Sequence, residues 1–278
     1  MQWVALEENK RITAENAVKS TQYLCPECFC PVRMRSGPHR RPHYYHISKN
    51  SLCRQQGKTA FHLETQLAIQ KALPAGEALL EFSFPLILRI ADVFWPAKNI
   101  VFEVQCSNIS YSEAKKRTED YMSLGLRVIW ILHERRYNKL KLSSAELFLK
   151  EHHCYFSSIN AKGVGYIYDQ FHLISGAKRI FKGPKLPIEI STPYEMNEIN
   201  CDKDWPKDAA LRRRSRTIGF KGDLVDRILK SPSTAWESLK RLEHHKTDSI
   251  GQRVKKRWLL LKKTYSSLLH AFLEKNSI

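Results

Sequence analysis

The chain has 278 residues, 42% of them hydrophobic, which is enough to fill a packed core and excludes global disorder. Its formal charge of +18 points to a polyanionic partner such as nucleic acid. No apolar run approaches the roughly 18 to 20 residues that span a bilayer, and the first residues lack the basic start and apolar stretch of a secretion signal, so a cytoplasmic protein without a membrane span is expected.

The charge is unevenly placed. Residues 1–60 carry 10 Lys or Arg against 4 Asp or Glu, 61–204 carry 18 against 17, and 205–278 carry 18 against 7. Two basic ends around a near-neutral centre fit a polyanion gripped at both sides of a working site; basic tails that only keep the chain soluble are the plainer alternative. Punctuation by Pro and Gly divides the chain into 1–58, 59–204 and 205–278.

The first segment holds four of the seven cysteines. Cys25-Pro26-Glu27-Cys28 has the two-residue gap that lets two thiolates share one tetrahedral Zn²⁺. His46 and Cys53 complete a Cys3His set at ribbon spacing, with His43 and Cys30 as competing ligands. A short hairpin over 32–37 lies between the halves, too small to hold itself without metal. Arg33, Arg35, Arg40 and Arg41 lie on the same segment and could touch phosphates.

The second segment reads as a mixed α/β core. A helix is predicted over 60–73, and its apolar arc includes Glu64, which would face the sheet as a metal-ligand neighbour or as the partner of Lys71. Glu81 opens a strand over 82–88 and reads as a solvated end. Two strands, 88–95 and 100–106, follow across the four-residue link Pro96-Ala97-Lys98-Asn99. This hairpin would pair Trp95 with Ile100, Phe94 with Val101 and Asp92 with Glu103. Gln105 would share the face of Glu103. Like charges directly opposed on a sheet are destabilising, so the pair requires neutralisation, by Mg²⁺ (or Mn²⁺), by protonation or by Arg89. Ser112 is a predicted N-cap for a helix over 113–124, which Gly125 would end before a strand at 126–132. Strand, helix, strand makes a right-handed crossover, so the sheet is mixed. Beyond it, 144–152 reads as a helix, and a hairpin is predicted to turn at Asp169-Gln170.

The third segment shows helical patterns only, at 223–229, 234–243 and 249–274. Arg212-Arg213-Arg214-Ser215-Arg216 reads as a phosphate-contacting loop, and the whole as a basic helical domain.

Arg89-Ile90-Ala91-Asp92-Val93, Phe102-Glu103-Val104-Gln105-Cys106-Ser107-Asn108-Ile109-Ser110, Arg117, Tyr121 and Val128-Ile129-Trp130-Ile131-Leu132 resemble the competence protein CoiA family, which is similar to PD-(D/E)XK nucleases. The resemblance implies a restriction-endonuclease-like core with Asp92 and Glu103 as metal carboxylates, and Gln105 where many relatives have Lys. It implies a part in natural transformation, acting on incoming single- or double-stranded DNA, with recombination proteins as further partners. The family pattern has a Glu-Ser pair four residues before a helical His, here His62, and a Lys four after it. This chain has Lys58-Thr59 and Gln66 instead. Two readings follow: a metal-dependent nuclease built on Asp92, Glu103, Gln105 and Glu64, or a module that binds DNA without turnover, which the changes at Lys58 and Gln66 favour.

Overall fold

The computed structural model describes residues 1–230 except 39, 49, 51, 52, 198 and 200–204, together with 241. The helices predicted at 234–243 and 249–274 lie outside the described residues, apart from Arg241. The chain forms two compact units, Met1–Asn138 with Cys154–Ile167, and Lys139–His153 with the rest from Tyr168.

The first unit opens with an antiparallel sheet of β1 (Val4–Glu7), β2 (Lys10–Thr13), β3 (Tyr23–Leu24), β4 (Pro31–Gly37) and β5 (Arg40–His46), in the order β2-β1-β3-β4-β5. The predicted hairpin is its β4–β5 edge, with Met34 paired to Tyr44. The hairpin is longer than the sequence suggested, and β3, β1 and β2 extend it into five strands. Tyr23, Val32 and Tyr44 fill the buried side.

A mixed sheet follows, built from α1 (Ala60–Ala72), β6 (Leu79–Phe84), β7 (Arg89–Trp95), β8 (Ile100–Gln105), α2 (Tyr111–Met122), β9 (Arg127–His133) and β10 (Cys154–Ser157). Its strands lie in the order β10-β9-β8-β7-β6. β7 is antiparallel to β6 and β8, whereas β9 runs parallel to β8 and β10, as the crossover through α2 requires. The Pro96 link makes one 3-10 turn, and Asn99 leaves it at φ 52°, a left-handed conformation that Asn tolerates. The strand predicted over 82–88 is shifted to β6, because Pro85 starts another 3-10 turn. Ser110, not Ser112, caps α2, its hydroxyl accepting from the Glu113 amide, and Gly125 at φ +71° ends the helix as expected. Phe102, Ile129, Trp130 and Ile131 are fully buried between the helices and the sheet.

The second unit contains α3 (Ser144–Lys150), β11 (Ile167–Ser175, from Tyr168 onward), β12 (Lys178–Pro187), β13 (Glu189–Glu195), α4 (Lys207–Ser215), β14 (Ile218–Lys221) and α5 (Leu224–Lys230). Three sequence expectations do not hold in this unit. Asp169-Gln170 is not a turn but the middle of β11, which turns instead at Gly176-Ala177 to pair with β12. The buried Asp169 carboxylate is held by Arg212 and by the Leu224 amide, partners that a polar pair in a strand does not announce. Likewise the 212–216 stretch is not a phosphate-contacting loop. Arg212 to Ser215 are helical, and Arg212 and Arg216 are buried, with Arg212 neutralising both Asp169 and Asp208. β14 pairs with β13, so the third segment is not helical throughout. Phe171, Leu173, Phe181, Leu186, Leu224 and Ile228 form this unit's core.

Candidate functional site

The β7–β8 ladder runs Trp95↔Ile100, Phe94↔Val101 and Val93↔Phe102, then stops. The expected next pair, Asp92 with Glu103, is absent because the Asp92 carboxylate enters the ladder itself: Oδ2 accepts the Val104 amide at 2.8 Å. The strands part at this point. Oδ1 accepts from Lys58 Nζ at 2.9 Å, His62 Nε2 at 3.0 Å and Gln66 Nε2 at 3.3 Å, and Gln66 also donates to the Asp92 carbonyl at 3.0 Å. Both α1 and the residue before its cap therefore converge on one carboxylate.

Glu103 is 1% exposed and meets the other helix. Its Oε1 accepts from Tyr121 hydroxyl at 2.8 Å and its Oε2 from Arg117 at 2.8 Å. The two carboxylates thus share the parting of the strands but draw donors from different helices. The neutralisation that the sequence demanded is supplied by Lys58 and Arg117. Arg89, the protein cation expected for it, pairs instead with Glu113 and Asp120.

Burial alone would raise the Asp92 carboxyl, but His62 and Lys58 outweigh it and hold the group far below the usual carboxylate range. Glu103 is shifted the other way: burial raises it, Asp92's negative charge adds to that, and Arg117 only partly offsets them. Lys58 is raised, since the Asp92 and Glu81 carboxylates overcome its own burial. One carboxylate is firmly ionised while its neighbour holds a proton more readily, the arrangement that sites of acid–base and metal chemistry use.

A cleft of about 620 Å³ opens on this point, lined by Lys58, His62, Asp92, Gln105, Arg117 and Tyr121 among others. Two residues of its lining hold buried polar atoms with no partner among the described residues, Gln55 Oε1 and Arg117 Nε, and Gln66 Oε1, behind Asp92 and outside the lining, is a third. Unsatisfied groups of this kind cost free energy unless a ligand, ion or water completes them.

Gln105 lines the cleft, with its amide nitrogen anchored on the Ser107 carbonyl at 2.9 Å. Glu64 does not reach the cleft. It is buried against Arg41 of β5 at 2.7 Å, beside neither Asp92 nor Lys71, and a Cβ on Gly163 would meet it at 2.7 Å. α1 is buried on more than one side: Leu63 and Glu64 of the arc that apolar counting selected are buried, but it is His62 and Gln66, on another side with Ile69, that meet Asp92. His62, which reads as readily as a surface residue, is buried on Asp92. Glu81, expected as a solvated strand end, is fully buried: its backbone is left-handed at φ 48°, it makes no pair in the β6–β7 ladder although the register continues on both sides, and its carboxylate meets the Trp3 and Val4 amides and Lys58.

The predicted Cys3His set comes together. Ligand atoms of Cys25, Cys28, His46 and Cys53 all lie within 4.8 Å of one another and could hold a metal ion. Cys25 Sγ is 3.7 Å from Cys53 Sγ, and His46 Nε2 lies 3.3 Å from Cys28 Sγ and 3.5 Å from Cys53 Sγ. These are the ligand-to-ligand separations that a tetrahedral ion with bonds of about 2.0 to 2.3 Å needs. The turn between the first two ligands is closed by the Phe29 amide on the Cys25 carbonyl, with Phe29 at φ 54°. Of the competing ligands, His43 Nδ1 meets the Arg41 carbonyl at 2.9 Å, and Cys30 Sγ accepts from Asn50 at 3.4 Å while its side chain also adjoins Cys28. Burial pushes the Cys25 thiol up to about 11, so without an ion its proton stays on at neutral pH.

Comparison with known proteins now adds a name to this geometry. Residues 6–56 match the family model "Competence protein CoiA, N-terminal domain", and residues 56–174 match "Competence protein CoiA, nuclease-like domain". The chain belongs to the competence protein CoiA family. It is 27% identical over 136 residues to competence protein CoiA of Bacillus subtilis (strain 168), an alignment covering 47% of this chain and 36% of that protein. The aligned part is thus about a third of the relative's length. No solved structure matches the chain. The junction between the two CoiA matches falls at the residues leading into Lys58. Lys58 and Gln66 meet at the same oxygen of Asp92, the ammonium at 2.9 Å and the amide at 3.3 Å.

Proposed function

We propose that this protein is a competence-related, divalent-metal-dependent nuclease with a restriction-endonuclease-like core, acting in the cytoplasm on incoming DNA, alongside recombination proteins. The observation that carries this reading is Asp92: an ionised carboxylate wedged where β7 and β8 part, next to Glu103 and open to a cleft edged with unpartnered polar atoms. Asp92 and Glu103 would hold Mg²⁺ or Mn²⁺. The donor set suits a hard cation, and the protein cations now on it have somewhere to go. Lys58 keeps Glu81 at 3.0 Å, and Arg117 keeps Glu113 at 3.0 Å, if an ion takes over their other carboxylates. When bound, such an ion eases ionisation of a water and stabilises charge growing on a scissile phosphate.

The remaining work falls to side chains. Arg117 Nε, buried and unpartnered, is placed to donate to a phosphate oxygen. Lys58 supplies a positive charge beside Asp92, the part that position 105 does not play here because it is Gln. Gln105, anchored through its nitrogen, keeps its amide oxygen to orient water. Glu64 has no part in this proposal. Zn²⁺ is the ion proposed for Cys25, Cys28, His46 and Cys53, as a closed structural site of three thiolates and one imidazole. The basic segment 205–278 would add phosphate contacts.

A second reading, DNA binding without turnover, is favoured by one observation: every carboxylate oxygen of Asp92 and Glu103 already accepts a protein donor. Purified protein incubated with labelled single- and double-stranded DNA in Mg²⁺ or Mn²⁺ decides between them. Cleavage that falls at least a hundredfold in Asp92→Asn, with DNA binding kept, is expected. Binding without cleavage by the wild-type protein would leave the second reading standing.

A further inference from the structure

The loop that follows Cys53 is bound tightly and yet leaves polar groups without partners beside the cleft. Arg54 is pinned at two points: its Nε donates to Glu27 Oε1 at 2.6 Å and its Nη2 to the Leu88 carbonyl at 2.5 Å. Its side chain remains 45% exposed, and Nη1 has no partner among the described residues. Gln55 is 4% exposed and lines the same cleft as Asp92; its amide is held by Glu27 Oε2 at 2.9 Å, while its side-chain Oε1 is buried without a partner. Glu27, inside the Cys25–Cys28 turn, therefore fixes both residues and also accepts from Cys53 Sγ at 3.3 Å. Arg54 borders an adjoining cleft too, with Arg89, Lys116 and Arg117 against Glu113 and Asp120, so cations outnumber carboxylates along it.

The two residues ask for opposite things. A pre-positioned guanidinium seeks an anion, and phosphate is the anion it matches best. An orphaned amide oxygen seeks a donor, which a phosphodiester lacks and a base edge offers. One molecule carrying both, a few ångströms apart, is a nucleic-acid strand. We propose that Arg54 and Gln55 form a wall of the cleft that reads a bound nucleic-acid strand, Arg54 taking a backbone phosphate and Gln55 a base-edge donor. The N-terminal Cys/His segment is then part of the substrate site as well as a structural module. This deepens the nucleic-acid reading above and rests on it, but it does not need turnover.

The test is equilibrium binding of fluorescently labelled single-stranded and duplex DNA to full-length protein without added Mg²⁺, over a range of salt, with bound metal measured on each variant. Arg54→Ala should weaken binding about three- to tenfold for every sequence and lower the salt slope by about one phosphate contact. Arg54→Lys should keep most of that slope. Gln55→Leu should leave the slope alone and narrow the affinity differences between base compositions. Equal affinity and equal slope for wild type and Arg54→Ala overturn the proposal, whatever the cleavage assay gives. Loss of cleavage in Asp92→Asn together with an unaltered Arg54→Ala would leave the nuclease reading intact and remove this one. Weakened binding by Arg54→Ala in a protein that never cleaves would do the reverse.

Discussion

Lys58→Met is expected to cost about 3 to 5 kcal/mol of stability at pH 7, the usual loss when one partner is removed from a buried ion pair. Lys58 is 8% exposed and lies 2.9 Å from Asp92 and 3.0 Å from Glu81, whose side chains are 6% and 0% exposed. Without the ammonium, two buried carboxylates face each other with only His62 and amide donors to steady them. The pH dependence has a definite sign. Asp92 is depressed in the folded protein, so its contribution is present above its unfolded pKa near 4 and is lost as the pH falls through the lower folded value. Lys58 is raised, so its contribution is present below about pH 10 and is lost only above that. The variant's deficit should therefore be full across the neutral range and shrink as the pH falls towards 4, where the abandoned carboxylates take up protons. Millimolar Mg²⁺ should raise the melting temperature of the variant more than that of the wild type, since the cation vacancy is open. Denaturant titrations at pH 7 and 4.5, with and without Mg²⁺, check this. A deficit below about 1 kcal/mol, unchanged by pH, would mean that the buried ion pairs of Lys58 do not operate.

The second large effect concerns the Cys/His cluster. Structural zinc binding contributes on the order of 10 kcal/mol or more, which exceeds the 5 to 15 kcal/mol stability of many whole domains or rivals it. Removal of the ion, or Cys53→Ser, should abolish amide-exchange protection in β3, β4 and β5 and reduce it in β1. The loss should spread in part to the mixed sheet, because Glu81 in β6 accepts the Trp3 and Val4 amides. Metal analysis should give one zinc per wild-type chain and none in the variant. A metal-free wild-type protein with full protection in β4 and β5 would contradict the account of this segment.

What the sequence disclosed depended on how local the signal was. The β7–β8 hairpin, the crossover through α2 and the Cys3His ligands are each encoded by spacing within a few tens of residues: a four-residue link, an N-cap and Gly125, a Cys-x-x-Cys turn. The partners of Asp92 were hidden because they are distant in sequence and polar. Lys58 and His62 lie some thirty residues before it, and a His on a helix carries no sign of which way it faces. The same limit misplaced Glu64. An apolar arc marks the buried side of a helix only when that side is apolar, and α1 turns His62 and Gln66 towards the sheet. Asp169 and Arg212 failed in a third way: each is a surface residue by composition and a buried one by pairing, 43 positions apart. Glu81 is buried at a left-handed backbone position inside a strand, φ 48°, and no residue pattern specifies that.

The claim on which the account turns is that Asp92 and Glu103 hold a divalent cation in exchange for Lys58 and Arg117. Titration of Mn²⁺ into zinc-loaded protein, followed by the loss of the free-ion paramagnetic resonance signal, measures it directly and without any substrate. The account predicts one saturable Mn²⁺ site beyond the zinc, competed by Mg²⁺, absent in Asp92→Asn and tighter in Lys58→Met. Equal Mn²⁺ uptake by wild type and Asp92→Asn, or none by either, would contradict it.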